Sequence, residues 1–221
     1  MLILQPVVEF EPWDWVGEQA HNIIGTKQWN KFWDGYLATR EVQAVWPGSW
    51  HIATPQLEKR EVLEQMLKIT LESLGLVCFP DTNGEETTDF KDRLTALSGG
   101  FILRTSEKVL FTPGCCCDLG DLTYWQDISL TTSNEWQFSA MGHATTEVRQ
   151  SGDKLEIREN PEYQCRDPII ELIDRQELCD AISVAETEMM RFVDRVMPVL
   201  LDIIGNREMA TEVAKVLCFV K

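Results

Sequence analysis

Three adjacent cysteines, Cys115 to Cys117, are the residues of this chain whose type and spacing could do chemistry. They follow a Pro-Gly turn signal and precede an aspartate that is expected to cap a short helix. Thiols can ligate a metal, change redox state, attack an electrophile or simply pack as small apolar groups. The candidate binding residues are therefore those of this loop, of the helix after it and one later histidine, namely Cys115, Cys116, Cys117, Asp118, Asp121, Trp125 and His143.

A metal site would need ligands at suitable spacing. In an extended segment Cys115 and Cys117 point to the same face, where they could share an ion with His143. Structural zinc sites usually draw on two pairs at Cys-x-x-Cys or His-x-x-x-His spacing, and neither pattern occurs in this sequence. The sequence therefore predicts no metal and no other cofactor, and Cys115, Cys117 and His143 are the alternative ligand set.

A nucleophilic or redox-active cysteine is the second kind of chemistry. The helix that Asp118 is expected to cap places Cys116 and Cys117 near a helix N-terminus, which predicts a lowered thiol pKa. Catalysis would also need a histidine base, and the spacing pairs none of the three histidines with a cysteine. Adjacent cysteines can close into a strained disulfide, with the dithiol as the resting state in a reducing compartment. We favour a buried turn of packed thiols, and the alternative is a thiol- or metal-dependent enzyme built on the loop from Cys115 through Cys116 to Cys117, with His143.

The charge balance argues against several function classes. With 36 acidic and 20 basic residues the chain carries a formal net charge of −16. Binding to nucleic acid or to an anionic membrane surface needs the opposite sign, whereas a basic protein partner would be steered toward this chain. No segment resembles a signal peptide or a membrane span, so we expect a cytoplasmic protein whose seven cysteines are thiols.

The N-terminal part is predicted to be largely helical. Residues Leu2 to Phe10 favour a strand, two helices follow at about 14–24 and 28–39, and a third is expected to open at Thr54-Pro55. The second helix carries four rings at three- and four-residue spacing, Trp29, Phe32, Trp33 and Tyr36. Core packing is the favoured interpretation of these rings, and a homodimer interface is the alternative.

The central part is predicted to be a mostly antiparallel sheet. A hairpin is expected from Phe101 to Phe111, and alternating segments at 136–138, 145–149 and 155–158 indicate a half-exposed meander. From Asp167-Pro168 the chain is expected to be helical, with one helix to about Asp180 and a second that Pro198 kinks or interrupts.

Together these elements predict a single α+β domain over residues 1–221. A helical N-terminal part, about 1–97, and a helical C-terminal part, about 167–221, flank the central sheet.

The loop that contains Cys115 to Cys117, here called the cysteine loop, is the main part of a resemblance to a known family. The segments that carry it are Leu97-Ser98-Gly99-Gly100, the run from Pro113 to Leu119, Trp125, Met141-Gly142-His143 and the strand from Leu155 to Arg158. They resemble a group of uncharacterised bacterial proteins and, more distantly, the SUKH superfamily, whose members often neutralise secreted toxins by direct binding. The resemblance covers roughly 60 residues and implies an α+β fold, no catalysis and a protein partner. Together with the charge, it predicts a non-enzymatic, immunity-type binder of a basic toxin.

Overall fold

The computed structural model describes residues 1–23, 25–76, 92–139, 146–159 and 170–220. The α-helices are α1 Pro12–Val16, α2 Thr26–Ala38, α3 Arg60–Ser73, α4 Leu122–Leu130, α5 Arg175–Ile204 and α6 Arg207–Leu217. The strands are β1 Ile3–Glu9, β2 His51–Ala53, β3 Gly99–Arg104, β4 Val109–Phe111, β5 Gln137–Ser139, β6 Thr146–Ser151, β7 Lys154–Glu159 and β8 Ile170–Asp174. The predicted α+β class is confirmed.

Within the described residues the strands form two four-stranded antiparallel sheets, with orders β2-β1-β3-β4 and β5-β6-β7-β8. The predicted hairpin is β3 and β4, and its turn is closed by the Thr105 amide, which donates to the Lys108 carbonyl at 2.9 Å. The predicted meander is β5, β6 and β7. Strand β8 extends this meander, and its pairing with β7 was not predicted.

Contacts along the chain divide it into two compact units. The first unit comprises Met1–Val7 and Ser98–Glu188, and the second comprises Val8–Leu97 and Met189–Lys221. Strand β1 and helix α5 each contribute residues to both units. The cysteine loop, α4 and the sheet β5-β6-β7-β8 belong to the first unit.

The aromatic face of α2 packs inside the second unit. Trp33 is fully buried and stacks between Trp29 and Tyr36, with ring centroids 6.0 and 5.5 Å apart. Its indole nitrogen donates to the Ser49 carbonyl at 2.7 Å, and that of Trp29 donates to the Gly48 carbonyl at 3.1 Å. The predicted core role is therefore confirmed for Trp33, whereas Trp29, Phe32 and Tyr36 are half-buried. Hydrogen bonding of the Trp29 and Trp33 indole groups keeps their burial favourable.

The expected helix start at Thr54-Pro55 was wrong. These residues form a separate 3-10 turn, Thr54–Gln56, and α3 begins only at Arg60. Thr54 and Leu57 are both fully buried. The backbone leaves the helical region at Leu57, with φ −86° and ψ 65°, so burial of this side chain overrides the local cap-and-proline signal.

The expected organisation after Asp167 was also wrong in two respects. Residues Ile170–Asp174 form β8 because they pair along their length with β7, which outweighs their local preference. The following helix then runs unbroken from Arg175 to Ile204 with Pro198 inside it, so the two expected helices are one. Asp174 begins this helix, since its carboxylate accepts from the Glu177 amide at 3.0 Å.

Within the described ranges, no helix combines the length and the apolarity required to cross a bilayer.

Candidate functional site

The cysteine loop is placed by the hairpin before it and the helix after it. β4 ends at Phe111, and the loop returns to β3, where the Gly99 amide donates to the Cys117 carbonyl at 3.0 Å. Gly100 has φ +113°, and a Cβ there would lie 3.2 Å from Pro113 Cβ and 3.3 Å from Cys117 Cβ. Glycine is therefore strongly favoured at position 100, because it adopts this φ without strain and because a Cβ would press against both neighbours where the loop approaches β3.

The predicted aspartate cap is confirmed. Asp118 accepts from the Gly120 amide at 2.6 Å, and Asp121 accepts from the Asp118 amide at 3.4 Å. This reciprocal capping box starts the 3-10 turn Leu119–Asp121, which leads directly into α4.

Cys117 is the buried member of the three cysteines, with 5% of its surface exposed. Burial first, and then the negative charge of Asp121, raise the pKa of the Cys117 thiol to about 12. The expected lowering of its pKa at the helix N-terminus was therefore wrong for Cys117, because desolvation and a neighbouring carboxylate outweigh the helix dipole. Cys117 is a protonated thiol at neutral pH and a poor nucleophile.

Asp121 is the polar group buried beside it. Burial raises the pKa of the Asp121 carboxyl to about 6, and the hydrogen bond from the Cys117 thiol opposes this increase. The nearby Asp118 carboxylate adds to the increase through like-charge repulsion. Asp121 thus titrates close to neutrality and combines a structural role in the capping box with a raised proton affinity.

A small pocket of about 20 Å³ lies against this pair. It is lined by Phe101, Phe111, Thr112, Pro113, Gly114, Cys117, Asp121, Trp125 and Thr146. A pocket of this size accommodates about one water molecule, which is too little for an organic substrate.

Trp125 completes the buried side of the loop. It lies on α4, is 2% exposed, and packs edge-on against Phe111 with ring centroids 6.3 Å apart. Among the predicted binding residues, Cys117, Asp121 and Trp125 are buried and Asp118 is half-buried, whereas Cys115 and Cys116 are exposed. The structure thus separates the expected pair Cys115 and Cys117, one outward and one inward.

His143, the expected histidine partner, lies outside the described residues. Across the part of the chain that the structure describes, no cluster of three or more histidine, cysteine or acidic side chains could hold a metal ion.

A second exposed feature was missed by the sequence analysis, namely one face of the sheet β5-β6-β7-β8. Its register places Phe138, Glu147, Arg158 and Ile170 in one row across the four strands. Arg149, Glu156 and Leu172 form a second row across β6, β7 and β8. We call these seven residues, together with Trp136 just before β5, the outer sheet face. The alternation in β6 and β7 predicted a half-exposed sheet, but the apolar end of each row on β8 depends on the unpredicted strand.

The centre of the outer sheet face holds two arginine–glutamate ion pairs and one tryptophan ring, which together we call the charge lattice. Arg149 pairs with Glu156 at 2.6 Å and Arg158 pairs with Glu147 at 2.7 Å. The Trp136 ring lies against both guanidinium groups, whose carbons are 4.5 and 4.0 Å from its centroid. Each side chain of the lattice therefore restrains its neighbours through ion pairing or cation–π contact.

The ends of the rows are apolar and open to solvent. Phe138 is 63% exposed, Leu172 57% and Ile170 47%. The opposite side of the sheet carries its buried residues, Val148, Leu155, Ile157 and Ile173. The outer sheet face thus combines paired charged groups at its centre with exposed aromatic and aliphatic side chains on its two edge strands.

Comparisons with protein-family models, with curated proteins and with solved structures find no match to this chain.

Proposed function

We propose that this chain is a non-enzymatic, cytoplasmic protein-binding module that binds a basic protein through the outer sheet face. The observation that carries the proposal is the exposure of Phe138, Ile170 and Leu172 around an ordered Arg–Glu–Trp lattice. Large apolar side chains of a monomer are more often scattered singly than arranged at the two edges of one sheet face.

The ordered lattice lowers the entropic cost of binding. The Arg158 and Glu147 side chains are only 20% and 17% exposed, although both lie on the outer surface of a sheet. Side chains that are already restrained lose less conformational freedom when a partner covers them. Tryptophan and arginine are also the residue types enriched among the energetic centres of interfaces.

Charge complementarity supports a basic partner. Each arginine of the outer sheet face is neutralised by a glutamate, so the field that a partner meets is set by the net charge of −16. Such a field accelerates encounter with a positively charged protein and disfavours an acidic one. The resemblance to SUKH proteins extends the proposal to an immunity-type role, in which the basic partner is a secreted toxin.

The cysteine loop supports the non-enzymatic part of the proposal. Cys117 is a protonated thiol in contact with a carboxyl group, and its pocket has room for about one water. The rival proposal is a thiol-dependent enzyme that uses Cys115 with His143, and it predicts a cysteine whose alkylation at neutral pH depends on that histidine.

Affinity capture with matched variants tests the proposal. Wild-type protein, Phe138→Ser, Leu172→Ser and the control Val184→Ser are immobilised and exposed to an extract of the producing cells at low and moderate salt. Val184 is an apolar side chain on α5 that is 67% exposed, so its replacement controls for general loss of surface hydrophobicity. We expect the wild type and Val184→Ser to retain the same basic protein, identified by mass spectrometry, and both sheet-face variants to lose it.

Equal capture by the sheet-face variants, an acidic partner, or capture that disappears at moderate salt would each contradict the proposal. Retention of no protein by the wild type would also count against it. Melting temperatures of all four proteins are measured first, and we expect them to agree because each replaced side chain is exposed.

A further inference from the structure

Cys115 and Cys116 form an exposed pair of adjacent thiols at the tip of the cysteine loop. Both residues are exposed, neither is in a disulfide, and together they make the turn that follows Gly114. Cys116 has φ +67°, the left-handed conformation that a tight turn requires and that non-glycine residues adopt uncommonly. The two thiols are thus accessible to a reagent in solution.

The third cysteine is held away from this pair. The Cys117 carbonyl accepts a hydrogen bond from the Gly99 amide on β3, and the Cys117 thiol is hydrogen-bonded to the buried Asp121. Asp118 is also fixed, through the capping box and through a backbone bridge to Ser98. Hydrogen bonds therefore hold Cys117 and Asp118 against the rest of the fold. Cys115 and Cys116 lie at the surface, whereas Cys117 is buried.

We propose that Cys115 and Cys116 are a redox modification site that reacts with low-molecular-weight disulfides and closes into a disulfide between adjacent residues. The proposal concerns a surface other than the outer sheet face and does not depend on the proposed function.

The reaction proceeds by two thiol–disulfide exchanges. The thiolate of one cysteine attacks a sulfur of glutathione disulfide, the S–S bond breaks, and one glutathione leaves as its thiolate. The neighbouring thiolate then attacks the cysteine sulfur of the mixed disulfide and expels the second glutathione. The two protein thiols lose two protons and two electrons, and the glutathione disulfide is reduced to two thiols.

The product is expected to be readily reduced. Consecutive Cα atoms lie only about 3.8 Å apart, whereas disulfide-bonded cysteines usually have Cα atoms roughly 4.4–6.8 Å apart. A strained disulfide has a more oxidising potential, so the pair stays dithiol in a reducing compartment and oxidises when disulfides accumulate. The site would therefore report oxidative conditions reversibly.

Peptide mass spectrometry of the full chain tests this proposal. The reduced protein is equilibrated in buffers of increasing glutathione disulfide to glutathione ratio, alkylated with iodoacetamide under native conditions, unfolded, and alkylated with a second reagent of different mass. We expect the peptide that contains both residues to lose two hydrogens and its first-stage alkylation, and to recover both with dithiothreitol. Cys117 in the same peptide is expected to take only the second reagent.

Two variants make the result specific. In Cys116→Ser the intramolecular disulfide cannot form, so Cys115 is expected to carry a stable glutathione adduct instead. Cys179→Ser, which removes a half-buried cysteine on α5, is the control and is expected to oxidise like the wild type. Complete alkylation of the pair in the most oxidising buffer, separate glutathione adducts on both cysteines, or a disulfide that includes Cys117 would overturn the proposal.

Discussion

The Cys117 thiol donates a hydrogen bond to the Asp121 carboxylate beneath the exposed tip of the cysteine loop. This pair joins the end of the loop to the start of α4, because Asp121 also accepts from the Asp118 amide. Burial raises the pKa of both groups, so folding favours the neutral form of each group relative to the unfolded chain. The contact accordingly has consequences for stability, pH dependence and thiol reactivity.

The pH dependence of stability is expected to change in Asp121→Asn. The pKa of Asp121 is about 6 in the folded protein against an ordinary value of 3.8, so protonation favours the folded state. The Asp121 carboxyl contributes to the free energy of unfolding by an amount on the order of 2–3 kcal/mol at most. This contribution is fully present below pH 4 and is lost as pH rises through 6. Urea unfolding from pH 4 to 7.5 is expected to show that the wild type loses stability relative to Asp121→Asn as pH rises.

Asp127→Asn is the matched control, since Asp127 is an exposed aspartate on the same helix. This replacement removes the same carboxyl group from an exposed position. The raised pKa of Asp121 would be contradicted if the stability of Asp121→Asn relative to the wild type did not change with pH, or changed only as much as that of Asp127→Asn.

Replacing Cys117 is expected to destabilise the first unit. Cys117→Ala removes the donor to Asp121 and leaves a small void, which costs about 1–3 kcal/mol. Cys117→Ser keeps a donor and is expected to lose less than Cys117→Ala, as measured by the midpoint of urea unfolding. If the serine variant were the less stable of the two, packing of the sulfur rather than hydrogen bonding would be the dominant contribution.

Gly100→Ala is expected to be strongly destabilising. An added methyl would lie within 3.3 Å of both Pro113 Cβ and Cys117 Cβ, and φ +113° is strained for alanine, so we expect a loss of about 2 kcal/mol or more. Gly35→Ala is the contrasting control, because Gly35 lies within α2 and an added Cβ meets nothing within 4 Å. That variant is expected to gain about 0.5–1 kcal/mol, and thermal unfolding of both tests the contrast. Equal effects of the two substitutions would contradict the close approach of the loop to β3.

The ion pairs of the outer sheet face are expected to couple more strongly than an ordinary surface pair. A double-mutant cycle of Arg158→Ala with Glu147→Ala should give a coupling free energy of about 0.5–2 kcal/mol, since the pair is cross-strand and also contacts Trp136. The exposed helix pair Lys68–Glu64 is the reference, and we expect it to couple more weakly because solvent screens it. Coupling at the sheet face no greater than at the helix pair would argue against a preorganised lattice.

The elements that the sequence predicted correctly are those whose signals are local. The hairpin, the three-stranded meander and the Asp118 cap each depend on residues a few positions apart. Turn residues and caps act through their own backbone hydrogen bonds, so neighbouring residues contain enough information to identify them. The tryptophan face of α2 was also predictable, because helical periodicity alone places its rings together.

Tertiary structure decided the chemistry of the candidate site. Helix-end electrostatics predicted a lowered pKa for Cys117, and only the folded chain shows the burial and the Asp121 carboxyl that reverse it. Likewise, Ile170 and Leu172 reach the outer sheet face because β8 pairs with β7, a contact between separate segments that local propensity does not encode. Composition and short-range spacing therefore determined the α+β class and the placement of the loop. Which thiol is exposed, and which sheet face is open, followed from long-range packing, because burial and strand pairing are properties of residues distant in sequence.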